Sequence, residues 1–358
     1  MEKTDEETTH GSRVSSGTFE NSKCRGSDQK NSTCGTGRRP STNGVCGYAG
    51  LVESGGLSGG DKSVGTAYST GVRKGKGSVA GAPGIHCQEM GCRGSRQNGI
   101  RKMKTLVTAI QKGGQGKTCT TCHLAFDFME RGLRVAVLDL DTQGNASYTL
   151  SAFDVNFAAS KLFSADKDAV TAWVDNYKSE SGAIALFSSD ALLANLDKME
   201  WADAAKVLKT NLQAISERFD VCLIDTPPSL GVAMTAAVLA AEYMLSPLEM
   251  EAYSLHGMKK MVSVIGNLRQ LNPSLRFLGM IPNKVDSRKP RHVNNLKQLQ
   301  AAYPQLVVPF CIGARDSIAE ALGEKRPVWK VRKTAARQAS LEMRTMTEYV
   351  FAKMEIAQ

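Results

Sequence analysis

The chain has no apolar run approaching the roughly 18 residues that a membrane-spanning helix requires, and no apolar stretch near its start of the kind a secretory signal carries. These absences predict a soluble, cytoplasmic protein. Aromatic residues are scarce, at 6% of the whole, and the first hundred positions hold only Phe19, Tyr48 and Tyr68. That stretch also carries 21 of the 33 glycines, with abundant Ser, Thr, Lys and Arg. So little apolar surface cannot offset the ordering of a backbone, which costs about 1–2 kcal/mol per residue. Residues 1–102 are therefore expected to be a disordered, Gly/Ser-rich N-terminal extension, and 103–358 a single globular domain.

Cysteine is not lacking, at nine residues, but a metal or disulfide pattern is. Cys24, Cys34, Cys46, Cys87 and Cys92 are irregularly spaced in the extension, and no zinc-like pair of pairs occurs. Cys119 and Cys122 fall inside an expected helix, where packing explains them. Repeats of fixed period are also absent. Charge of one sign is in excess instead. The formal net charge is +10, and residues 269–297 hold seven Lys or Arg against one Asp, while 325–344 hold seven against one Glu. Such surfaces favour nucleic acid or an anionic membrane, although each cation alone is compatible with an ordinary solvated face.

Beyond Met103 short apolar runs alternate with amphipathic stretches. Strands are expected at 104–110, 134–140, 219–224 and 243–247, then at 277–282 and, on an edge, 306–310. Helices are expected at 117–131, 201–218, 232–241, 255–271, 293–302 and 334–356; the segment 151–200 carries little signal. Strands of this length alternating with helices indicate an α/β fold, a doubly wound and mostly parallel sheet flanked by helices.

Lys112-Gly113-Gly114-Gln115-Gly116-Lys117-Thr118 lies between the first strand and the first helix. Glycines there let backbone N–H groups turn onto phosphates, and the helix N-terminus adds its positive dipole end. Lys117 supplies charge to the β- and γ-phosphates and Thr118 a hydroxyl for Mg²⁺, which makes this a P-loop for ATP. Gly113, Gly114, Gln115, Gly116, Lys117, Thr118 and Cys119 are the expected nucleotide contacts. The common pattern opens with glycine where Gln111 stands, and a second lysine, Lys112, appears beside it. Two more strands end in acid. Asp139-Leu140-Asp141 leads into Thr142-Gln143-Gly144-Asn145, and Asp225 into Thr226-Pro227-Pro228-Ser229. Carboxylates at the carboxyl ends of parallel strands face the ligand crevice, where they hold Mg²⁺ or orient a water. Thr118, Asp139 and Asp225 are the expected Mg²⁺ residues.

The three motifs together resemble the deviant P-loop ATPases of the ParA/MinD superfamily, over about residues 104–350. DLDTQGN, DTPPSLG and the later Ile318-Ala319-Glu320-Ala321 with Pro327-Val328 look like the ParA-type partition branch. The resemblance implies ATP hydrolysis with Mg²⁺, with Lys112 as the signature lysine reaching across a nucleotide-sandwich homodimer. Asp141 then positions the hydrolytic water, Asp225 acts on Mg²⁺ through water, and Asn283 contacts the adenine. Asp139 matches a supporting residue. It further implies non-specific DNA binding, a ParB-type centromere-binding partner that stimulates hydrolysis, nucleoid association and no membrane. Arg315, Lys330, Arg332, Lys333 and Arg337 are the expected DNA contacts. One alternative is an ATP-switched co-regulator assisting a DNA-binding repressor. Another is a MinD-like division-site ATPase, although residues 349–358 hold one Lys and one Glu and lack a basic amphipathic anchor. Thr142 stands where proline is common in the family, and the extension lacks a helix-turn-helix pattern. The core needs nothing before its first strand. The extension is thus expected to be dispensable for ATPase activity, with Met103 a fitting start for a shorter product.

Overall fold

The computed structural model describes residues 102–250 and 255–356; the extension expected over 1–102 lies outside them but for Lys102. Strand β1 (Lys104–Thr108) leads through the glycine-rich loop into helix α1 (Lys117–Glu130). Gly132, at φ 84°, then turns the chain into β2 (Arg134–Asp139). There follow α2 (Asn145–Thr149), α3 (Lys167–Asn176), β3 (Ala183–Phe187), α4 (Trp201–Ile215), β4 (Val221–Asp225) and α5 (Val232–Ala240). The chain continues through β5 (Tyr243–Glu249), α6 (Leu255–Leu271), β6 (Arg276–Asn283), α7 (Pro290–Ala302), α8 (Asp316–Gly323) and α9 (Ala336–Lys353). The six strands lie in the order β3-β2-β4-β1-β5-β6, and every pairing is parallel.

Parallel neighbours cannot be joined by tight hairpins, so the connections cross over the sheet and helices cover both faces. Successive strand residues consequently enter different cores. Leu106, Val135 and Leu223 pack with α1, α8 and α9, whereas Val107, Ala136 and Ile224 pack with α4, α5, α6 and α7. From β1 the chain moves to β2 on one side of the sheet, and from β4 it crosses back to β5 on the other. This reversal opens a crevice above the carboxyl ends of β1, β2 and β4.

Several elements differ from expectation, among them the short helices α2 and α3, which no expected helix covers. Strand β3 lies in the stretch without sequence signal; its five apolar residues are too few to show a period that separates strand from buried helix. Residues 306–310 do not form a strand. Met280 N–H donates to Leu306 O at 2.6 Å and Val308 N–H to Met280 O at 3.0 Å, and Pro282, the next β6 residue facing this segment, has no N–H to continue the ladder. Helix α8 was not expected, being a short element of eight residues.

An aromatic cluster ties the β3 side to the sheet. Phe219 packs against Tyr177 at 5.5 Å, Phe187 at 6.2 Å and Trp173 at 6.5 Å between ring centroids. Phe219→Ala is expected to destabilise the domain by about 3–5 kcal/mol through the cavity left behind. A urea titration followed by far-UV circular dichroism checks this through a lowered midpoint at unchanged slope.

Candidate functional site

Thr108 and Asp139 both pair with Asp225 in the parallel register, so the ends of β1, β2 and β4 stand level. Beyond β1, Gly114 and Gly116 adopt φ of 75° and 98°, in the left-handed region. A Cβ at Gly116 would also collide with the side-chain amide nitrogen of Asn283. Glycine alone meets both demands. Lys117 opens α1 and is 6% exposed. Burial holds its ammonium below the usual range, opposed by the charges of Asp225 and then Asp141. The Thr118 hydroxyl donates to Asp225 Oδ2 at 2.6 Å, and the Thr121 hydroxyl lies 3.4 Å from Oδ1. Cys119 is in the first turn of α1, where backbone N–H groups have no intrahelical acceptor. Burial pushes its thiol up to about 12, which leaves the side chain protonated.

Burial, followed by repulsion from Asp139, pushes the Asp225 carboxyl up to about 7. A carboxyl raised in this way would be returned to its charged form by a nearby cation. The hydroxyl and carboxylate beside it are hard oxygen donors of the kind Mg²⁺ takes. Among the described residues no cluster of three His, Cys, Asp or Glu could hold a metal alone.

Asp139 is placed differently from the other expected Mg²⁺ residues. Its Oδ2 accepts from both the N–H and the hydroxyl of Ser147 at 2.7 Å, and its Oδ1 accepts from Asp141 N–H at 3.2 Å. With both oxygens engaged, it ties α2 to the end of β2 and so fixes the turn that carries Asp141. Asp141 is 8% exposed; its Oδ1 accepts from Gln143 N–H at 3.0 Å, and its carbonyl accepts from the Ser189 hydroxyl at 2.6 Å. Lys112 is exposed in the loop.

Residues 103–277 match a family model described as an AAA domain. The IncC protein of Escherichia coli is 62% identical over 337 residues, covering 93% of this chain and 94% of that one. The chromosome-partitioning ATPase Soj of Thermus thermophilus is 31% identical, covering 62% of this chain and 85% of that one. The chain belongs to the ParA-type partition ATPases. Its fold is likewise that of a Cyanothece McdA variant in complex with ATP, with a TM-score of 0.60 and 24% identity over 72% of this chain and 98% of that chain.

In this partition ATPase two residues that sequence reasoning missed, Glu249 and Lys284, lie against the loop. Gln115 is wholly buried; its Oε1 accepts from Glu249 N–H at 2.9 Å and its Nε2 donates to Glu249 Oε2 at 3.3 Å. Lys284 Nζ donates to Gly114 O at 2.7 Å. Asn283, expected at the adenine, donates from Nδ2 to Gln115 O at 2.7 Å and accepts Lys284 N–H on Oδ1 at 2.9 Å. No local signal could have announced the contacts to the loop, because their partners are 134 to 170 residues apart.

Three of the five expected DNA contacts have acidic partners. Arg315 makes a bidentate pair with Glu342 at 2.9 and 2.6 Å, and the same carboxylate accepts Gly313 N–H at 2.9 Å. Half-buried, Arg315 ties the loop before α8 to α9. Lys330 lies 3.5 Å from Glu130, and Lys333 pairs with Glu320. Arg332 and Arg337 are exposed. Glu130 and Glu320 lie outside the basic run, so the sequence of the run does not show which carboxylates its cations meet.

Proposed function

We propose that the chain is an ATP hydrolase whose ATP-bound homodimer binds DNA without sequence preference, and whose hydrolysis a ParB-type centromere-binding partner stimulates. The observation that carries the nucleotide half is the convergence of Lys117, Thr118, Asp141 and Asp225 on one crevice beside a loop with two left-handed glycines. ATP would lie with its phosphates against the N–H groups of residues 113–119, and Mg²⁺ would be held by Thr118 and Asp225. When bound, Mg²⁺ neutralises phosphate charge and favours attack on the γ-phosphate. Asp141 orients the attacking water from the rigid turn that Asp139 fixes. Lys112 reaches the phosphates of the second protomer, and Asn283 borders the base. The arrangement of three motifs and the likeness to IncC and Soj support this reading.

The DNA half rests on the exposed cations of the α8–α9 connection and the first turn of α9. Arg332 and Arg337 are the leading contacts. Lys330 and Lys333, with side chains 63% and 59% exposed, can exchange their carboxylates for DNA phosphates, since exposed pairs contribute only about 0–1 kcal/mol. Arg315 is the weakest member, because a DNA contact would break its bidentate pair. No helix among the described residues is long and apolar enough to cross a membrane. Helix α9 buries Met343, Met346, Val350 and Phe351 in the core. Charge reversal in Arg332→Glu/Arg337→Glu should weaken ATP-dependent binding to every DNA sequence alike. The slope of log affinity against log salt should become shallower by about two. An unchanged slope in a filter-binding series would remove this face from the interface.

A further inference from the structure

A phosphate loop works only when its peptide N–H groups face the ligand. Its carbonyls then face the protein and must find donors there. In this chain one dipeptide at the end of β6 supplies them. Asn283 Nδ2 donates to Gln115 O, and Lys284 Nζ donates to Gly114 O, each at 2.7 Å. The end of β5 adds a second grip. Glu249 holds the buried Gln115 amide through both its N–H and its carboxylate, and that carboxylate lies 3.8 Å from Lys284 Nζ. Lys284 also has φ 51°, a left-handed conformation uncommon for a side chain of this size. A conformation of this cost persists where its surroundings impose it, and here Asn283 Oδ1 accepts the Lys284 N–H at 2.9 Å.

We propose that Lys284 and Glu249 are positioning residues for ATP binding, which pin the carbonyl of Gly114 and the side chain of Gln115 so that the loop is preorganised for phosphate. The inference rests on the assignment of this loop to ATP. Lys284 acts through Gly114 and Glu249 through Gln115, without either touching the nucleotide. Preorganisation lowers the ordering cost of binding, so its loss appears in nucleotide affinity and not in turnover at saturation.

The test uses the full chain, titrated with a fluorescent ATP analogue in Mg²⁺, with turnover measured at saturating ATP. Lys284→Met, which keeps the length but removes the donor, is expected to bind about tenfold more weakly, as loss of a charge-assisted hydrogen bond implies. Its saturated turnover should be unchanged. Lys284→Arg, which restores a charged donor, should recover most of the affinity, a rescue that a side chain acting only through packing would not give. Glu249→Ala should weaken binding through the same loop, so the double variant should lose less than the product of the two single losses. Wild-type affinity in Lys284→Met, or full multiplicativity in the double variant, overturns the proposal. Failure of the ATP assignment shows separately, as wild-type protein that does not bind the analogue at all.

Discussion

Lys117→Ala is expected to bind ATP at least about 100-fold more weakly than the wild-type chain, since removing one partner of a buried charge pair costs about 2–5 kcal/mol. The size of the effect follows from the burial of Lys117. At 6% exposed, its ammonium is held against the pull of burial by Asp225 and Asp141. The charge is therefore poised in a water-poor crevice, where attraction to a phosphate is far less screened than at a surface. Alanine leaves the loop glycines and the helix start in place, so the domain should remain folded. Isothermal titration with ATP and Mg²⁺, paired with a thermal melt of the nucleotide-free protein, separates loss of binding from loss of structure. A folded variant with wild-type affinity would move the phosphates away from this loop.

Asp141→Ala should show the opposite pattern, with binding kept and turnover lost. Orienting a water contributes to the transition state rather than to the bound ground state, so KM should change little while kcat falls by about 10²–10⁴. The geometry makes the substitution clean. Asp139 is hydrogen-bonded to Ser147 and to the backbone N–H at position 141, so the turn keeps these anchors when the Asp141 carboxylate and its bond from Gln143 N–H are removed. The variant should accumulate as an ATP-bound dimer that stays on DNA. Phosphate release measured beside size-exclusion elution in ATP checks both halves. Wild-type turnover would take Asp141 out of the water-positioning role.

The P-loop was legible in the sequence because its requirements are local. Gly114 and Gly116 must reach left-handed φ, Lys117 must begin a helix, and a buried strand must precede them, all within consecutive residues. The acidic strand ends were legible for the same reason, as an apolar run closed by a carboxylate. Asp139 shows where that reasoning stops. Its position at the end of β2 is the one a metal ligand would occupy, yet which way its two oxygens bond is decided by Ser147, which α2 brings back onto it.

The sequence by itself determined the α/β class, the parallel alternation and the loop with its acidic neighbours, because backbone conformation and apolar periodicity are properties of short stretches of chain. The tertiary structure alone decided that β3 borders β2 and that residues 306–310 touch β6 without extending the sheet. It also decided that Asn283, Lys284 and Glu249 brace the phosphate loop, and that Arg315, Lys330 and Lys333 have acidic partners while Arg332 and Arg337 face solvent. The physical reason is common to these cases. A donor, acceptor or charge is satisfied by whatever group the folded chain brings within a few ångströms, and across a doubly wound sheet that group comes from a distant segment.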